Sequence, residues 1–163
     1  MKKVSVKELT MAGVLAALVF VLTYLPKVPV PVTGGYIHLG DGAIFLSVLL
    51  LGPLGIPAAA IGSGLSDLIG GYMVYVIPTL LIKALVAFIA WKLYRKGSWV
   101  SAVVAFAVAE AAMVLGYFAF EAVMYGVASA AAAILPNVIQ GIGGIALGLV
   151  CVALAPRLEP IVK

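Results

Sequence analysis

The sequence predicts an all-α fold: an integral membrane bundle of six transmembrane helices with both termini cytoplasmic. Three observations predict it. Of 163 residues, 65% are hydrophobic and only 10% are charged, whereas an ordinary soluble domain carries about 25% charge. The stretches free of Asp, Glu, Lys and Arg recur at the length of a bilayer span, roughly 20 apolar residues. Basic residues collect at alternate ends of those stretches, as they do on the cytoplasmic side of membrane proteins. Together these exclude a soluble enzyme, a disordered chain and a DNA-binding domain. The net charge of +4 belongs beside a membrane rather than on nucleic acid.

Each span follows from the apolar runs. Residues 9–25 form the first, and the Pro26-Lys27-Val28-Pro29 that follows is no signal-peptidase site. The run from 42 to 66 is interrupted by Gly52-Pro53-Leu54-Gly55, a turn signal. It predicts two spans in a tight hairpin, about 40–52 and 55–70. A fourth span fits 78–94, a fifth 99–125 and a sixth 136–155. These leave no room for a soluble domain, so residues 1–163 are one membrane-embedded domain. With the N-terminus inside, Lys2, Lys3, Lys7, Lys92, Arg95, Lys96, Arg157 and Lys163 all fall on the inner side.

Ionisable groups inside a bilayer cost several kcal/mol and therefore need a partner, a water cavity or a function. Here the polar groups gather in the outer third. Asp41 opens span two, Asp67 lies near the outer end of span three, Lys83 near that of span four and Glu121 near that of span five, while Asn137 and Gln140 open span six. His38, the only histidine, ends the loop after span one. Helical spacing places Glu110, Tyr117 and Glu121 on one face, and Asn137, Gln140, Gly141, Gly144 and Gly148 on another. Such faces should look into the bundle and line an outward-opening cavity. Tyr36, Tyr72, Tyr75 and Tyr117 supply rings at the same level. Blander roles are a packing ion pair between Asp67 and Lys83, a headgroup position for Glu121, and a helix cap for Asn137 just after Pro136.

Ala12 and Ala16, with Gly13 and Ala17 beside them, give span one a small-residue face that another helix can approach closely. Cys151 has no second cysteine to pair with. There is no Walker lysine motif, no dinucleotide fingerprint in Gly62-Ser63-Gly64-Leu65-Ser66-Asp67, no metal-ligand spacing and no nucleophilic triad. No catalytic residue, cofactor or metal is expected.

A set of segments resembles a known family. They are Gly35-Tyr36-Ile37-His38-Leu39-Gly40-Asp41 after a Pro-rich loop, Leu51-Gly52-Pro53-Leu54-Gly55, the run from Gly62 to Tyr72, Pro78-Thr79-Leu80-Leu81-Ile82-Lys83, and Pro136-Asn137-Val138-Ile139-Gln140-Gly141. Over nearly the whole chain they resemble the substrate-binding S component of energy-coupling factor (ECF) vitamin transporters. The likeness is to the riboflavin-type branch linked with pyridoxine and hydroxymethylpyrimidine uptake. The resemblance implies a plasma-membrane binding protein and not an enzyme, with the vitamin held near the outer face under a loop that acts as a lid. Ligand contacts would come from Tyr36, His38, Asp41, Asp67, Tyr72, Lys83, Tyr117, Glu121, Asn137 and Gln140. The Ala12, Gly13, Ala16 and Ala17 face would dock on the transmembrane T subunit, and two ATPase subunits would supply the energy. The rival reading is a proton-coupled carrier or channel acting alone, with Asp67, Lys83, Glu110 and Glu121 as the proton path.

Overall fold

A computed structural model describes residues 4–162. Lys2, Lys3 and Lys163, which enter the expected charge asymmetry, lie outside the described residues. Helix α1 spans Val6–Tyr24. It starts ahead of the expected position because Ser5 and Glu8 form a reciprocal capping box, which satisfies amides at the open helix end. The loop after it is more ordered than its prolines suggest. Strands β1 (Val28–Val30) and β2 (Gly35–Ile37) pair antiparallel, with Val28 opposite Ile37 and Val30 opposite Gly35. Pro29 is tolerated because both strands of a two-stranded ribbon are edges. Gly34 turns the ribbon at φ 68°.

Helix α2 (Gly40–Leu51) and helix α3 (Gly55–Gly70) are joined by one 3₁₀ turn, Gly52–Leu54, where the turn signal placed it. Gly55 lies so close to the preceding helix that a Cβ there would sit 2.5 Å from the Ser47 carbonyl. Ser47 Oγ donates to the Ile44 carbonyl at 2.7 Å and the Gly55 carbonyl at 3.1 Å, tying the two helices at the bend. A second 3₁₀ turn, Met73–Tyr75, leads into α4 (Val76–Leu93). Helix α5 covers Trp99–Tyr125, and α6 covers Val127–Val162.

Two expectations change. Five stretches, rather than six, are long and apolar enough to cross a bilayer, because Gly40–Gly70 forms one run of 31 residues. At 1.5 Å per residue, α2 and α3 are only about 18 and 24 Å long, short of a core about 30 Å thick. The last helix begins at Val127 and not at Pro136, so Asn137 lies inside it and caps nothing. The run from Ala128 to Ala133 is almost all alanine, the strongest helix former, and carries the helix up to and through Pro136.

The core combines alanines with Val19, Ile44, Val48, Ile82, Val86 and Met113 around two stacked rings. Phe45 and Phe106 lie 4.1 Å apart between α2 and α5. The glycine face of α6 admits them: a Cβ on Gly148 would meet Phe45 at 2.6 Å, and one on Gly144 would meet Glu110 at 2.6 Å and Asp41 at 2.8 Å. This face looks into the bundle, as its polar and small residues required.

Candidate ligand site

Helices α1, α3, α4, α5 and α6, the turn ahead of α4 and the β1–β2 ribbon all bring polar groups to one end of the bundle. The β1–β2 ribbon lies across this end. Tyr36 on β2 donates to Asp67 Oδ1 on α3 at 2.6 Å, with Ser66 Oγ 3.2 Å away. Tyr75, ahead of α4, donates to the Thr33 carbonyl of the ribbon and to Glu121 Oε1 on α5, both at 3.1 Å. Thr79 on α4 and Tyr117 on α5 share a hydrogen bond of 3.0 Å. Beneath the ribbon is a cavity of about 30 Å³.

Of the residues expected to touch a ligand, Tyr36, His38, Asp67, Tyr117, Glu121, Asn137 and Gln140 line this cavity. Tyr72, Asp41 and Lys83 do not. Tyr72 packs outside the cavity on Tyr36, with ring centroids 4.6 Å apart. Asp41 and Lys83 are wholly buried and pair with each other at 2.5 Å. The ion pair of Lys83 is therefore with Asp41 and not with Asp67. Lys83 also reaches Met113 Sδ at 3.0 Å. Thr23, Thr33, Tyr75 and Thr79 complete the polar wall. The sequence offered Tyr75 as a ring and Thr79 within residues 78–83, but Thr23 and Thr33 carry no signal there, since a lone threonine is ordinary in a helix or loop.

The wall is chemically unsatisfied. Among the described residues, Thr23 Oγ1, Thr33 Oγ1, Asp67 Oδ2 and Glu121 Oε2 are buried without a well-formed hydrogen bond, although the Thr33 side chain lies near Glu121 and that of Thr79 near Asp67. Buried polar atoms are otherwise almost always paired, because each unpaired one costs about 1–3 kcal/mol. Acceptors on two carboxyl groups, two hydroxyls and the Asn137 amide suit a small molecule bearing amino and hydroxyl groups, and Tyr36, Tyr75 and Tyr117 are part of the same lining. The cavity, about 30 Å³, is far below the size of about 150 Å³ that takes a benzene ring, so a ring-sized ligand needs the wall to open.

The ribbon is held by a second contact that the sequence did not mark. The Lys27 ammonium lies 4.4 Å from the ring centre of Tyr24, 4.3 Å from Tyr36 and 4.8 Å from Tyr72. Three rings around one cation form an aromatic cage that joins the end of α1, the ribbon and the end of α3. Burial lowers the Lys27 pKa, and the negative charge of Asp67 acts against that. The Tyr36 phenol is pushed well up by burial and then by Asp67, so it stays a donor. Burial takes the His38 imidazole down to about 3, leaving it neutral.

The small-residue face of α1 divides. Ala12 is buried, and the Ala16 carbonyl abuts Gly62 of α3 inside the bundle. Gly13 and Ala17 are exposed, with Val14 beside them. Among the described residues neither carboxyl oxygen of buried Glu110 has a hydrogen-bond partner, and Glu110 is not part of the cavity wall. Among the described residues no cluster of His, Cys, Asp and Glu can hold a metal ion.

Comparisons with known proteins point one way. The profile of the ECF-type riboflavin transporter S component family matches residues 3–155. The chain is 34% identical over 159 residues to the thiamine precursor transporter HmpT of Lactococcus lactis subsp. cremoris (strain MG1363), covering 95% of this chain and 89% of that one. It is 35% identical over 134 residues to an uncharacterised protein of Pyrococcus woesei, covering 80% and 88%. Among solved structures, the S component of a bacterial ECF transporter superposes with a TM-score of 0.68 at 23% identity, covering 96% of this chain and 98% of that one. The biotin S component of an ECF-type ABC transporter gives 0.69 at 19% identity, covering 95% and 92%. The last two are alike in fold.

Proposed function

Because the chain belongs to the family of ECF-type riboflavin transporter S components, a family of multi-pass membrane transport subunits and not of enzymes, we propose that it captures a vitamin precursor of the pyridoxine or hydroxymethylpyrimidine type at the outer membrane face. The ligand passes to the cell interior through a T subunit and two ATPase subunits. Capture takes place in the cavity under the ribbon. The observation that carries this is the cluster of buried oxygens without a well-formed hydrogen bond on Thr23, Thr33, Asp67 and Glu121 around one small space.

Size and chemistry favour a single-ring ligand. A cavity of about 30 Å³ must open somewhat for one ring and far more for the three fused rings of riboflavin. The exocyclic amine and hydroxymethyl group of an aminopyrimidine alcohol match Asp67, Glu121 and Asn137, and the ring stacks on tyrosine. The similarity to a thiamine precursor transporter supports the same class. Asp41 and Lys83 serve the site from beneath it.

The topology follows with six spans, α2 and α3 crossing as a bent pair, and both termini inside, where Lys92, Arg95, Lys96 and Arg157 gather. The T subunit docks on the exposed Gly13 and Ala17 face of α1 and not on the internal Ala12 and Ala16 side. The sequence carries no Walker lysine motif, so the energy is assigned to the partners.

Uptake of labelled hydroxymethylpyrimidine in cells with and without the ATPase subunits is the direct test. Uptake that requires the ATPases, with binding by the purified chain alone, is the expected result. Uptake that follows a pH gradient without any ATPase would overturn it in favour of a carrier acting alone.

A further inference from the structure

The buried ion pair has no contact with the cavity, yet it is linked to the wall through a chain of directed hydrogen bonds. Asp41 accepts from Lys83 Nζ on one oxygen and from Gln140 Nε2, at 2.7 Å, on the other. An ionised carboxylate only accepts. It therefore fixes the Gln140 amide with its NH₂ group toward Asp41 and its carbonyl turned away. That carbonyl accepts the His38 backbone N–H at 3.0 Å. The root of the ribbon is thus pinned to α6. The chain then folds back so that the Gly40 backbone N–H donates to His38 Nδ1 at 2.9 Å. Only glycine permits this, since a Cβ at position 40 would press on Thr23 Oγ1 and lie 3.0 Å from His38 Nδ1.

Each ring nitrogen of a neutral imidazole is either donor or acceptor, and the bond made by one decides the other. With Nδ1 accepting from Gly40, the proton sits on Nε2. His38 lines the cavity, and among the described residues its Nε2 makes no hydrogen bond. We infer that Asp41, Lys83 and Gln140 are positioning residues that fix His38 as the Nε2–H tautomer, making it a hydrogen-bond donor on an otherwise acceptor-rich wall that reads a ring nitrogen or oxygen of the ligand. This rests on the cavity being the ligand site, and it adds a specificity element: the ligand must carry an acceptor on the side facing His38.

His38 is the only histidine in the chain, so nitrogen NMR of the ¹⁵N-histidine-labelled protein in nanodiscs reads this ring alone. Without ligand at neutral pH, a pyrrole-like Nε2 and a pyridine-like Nδ1 are expected. A protonated Nδ1, or a rapidly exchanging mixture, overturns the inference. Gln140→Leu, checked for an intact melting transition, should release the ring into a tautomer mixture; an unchanged spectrum overturns the positioning role. Should that variant fail to fold, His38→Gln and His38→Asn decide. Glutamine places an amide donor near the Nε2 position and asparagine does not. With hydroxymethylpyrimidine as the probe, His38→Gln should retain affinity within about threefold, and His38→Asn should lose about tenfold or more. The reverse order overturns the inference. If the wild-type chain does not bind the probe, the proposed substrate class fails, and the tautomer spectrum of the unliganded protein still decides this inference by itself.

Discussion

Asp67 and Asn137 sit on the cavity wall with hydrogen-bonding capacity to spare, while Lys83 and Asp41 use theirs on each other. The two sets should therefore respond differently to mutation. Asp67→Asn or Asn137→Ala should weaken ligand binding about 10- to 100-fold, the range for a lost hydrogen bond to a charged or tightly enclosed group, with no change in melting temperature. Calorimetric titration beside a thermal melt separates the two effects. Lys83→Met leaves Asp41 charged and buried, which should cost about 3–5 kcal/mol of stability. Removing both charges in Asp41→Leu/Lys83→Met should recover much of that loss in the same melt. The polar residues were legible in the sequence because a charge inside an apolar run must be accounted for. Their pairing was not, since Asp41 and Lys83 are 42 positions apart and meet only when α2 packs near α4.

In the proposed mode of capture, the ribbon between α1 and α2 is the element that moves. Its closed position rests on Lys27 in its cage of three tyrosines and on Tyr36 bound to Asp67. Lys27→Ala should speed ligand release several-fold and raise hydrogen exchange across residues 28–37, while Lys27→Arg, which keeps the cation, should behave close to wild type. Acid should open the ribbon as well. Buried His38 titrates at about 3, well below the ordinary value of 6.5. The open state therefore binds a proton that the closed state refuses. Closure is fully favoured above about pH 6.5 and weakens as the pH falls from there toward 3. At pH 5.5 the penalty is about 1.4 kcal/mol, close to tenfold in affinity. Asp41, Lys83 and Lys27 surround the imidazole, so His38→Gln is the control; its profile should be flatter by that amount. Sequence reading saw this element as a proline-rich loop. The ribbon escaped because prolines argue against strands, and the start of α6 escaped because Pro136 reads as a boundary, whereas the alanines before it carry the helix past it.

At the scale of the whole molecule, the bundle divides its labour by depth. The ribbon end holds the polar wall, and the long apolar helices below it have little to offer a hydrophilic solute. On the proposed function, capture and release thus belong to different states, with release driven by a partner. Ala17→Leu on the exposed face of α1 should abolish uptake in cells while leaving binding by the purified chain unchanged; equal uptake would move the docking face elsewhere. The membrane fold was legible from composition and charge-free runs alone, since sixteen charges are too few to coat a soluble domain. The short α2 and α3, bent at Gly52, were placed correctly by their turn signal, though they register as one apolar run and not as two full-length spans. Titration of the purified wild-type chain, Asp67→Asn and Asn137→Ala with hydroxymethylpyrimidine tests the central claim most directly. One ligand bound per wild-type chain, with both variants at least tenfold weaker and equally stable, is the expected outcome. Wild-type affinity in both variants would contradict the placement of the site beneath the ribbon.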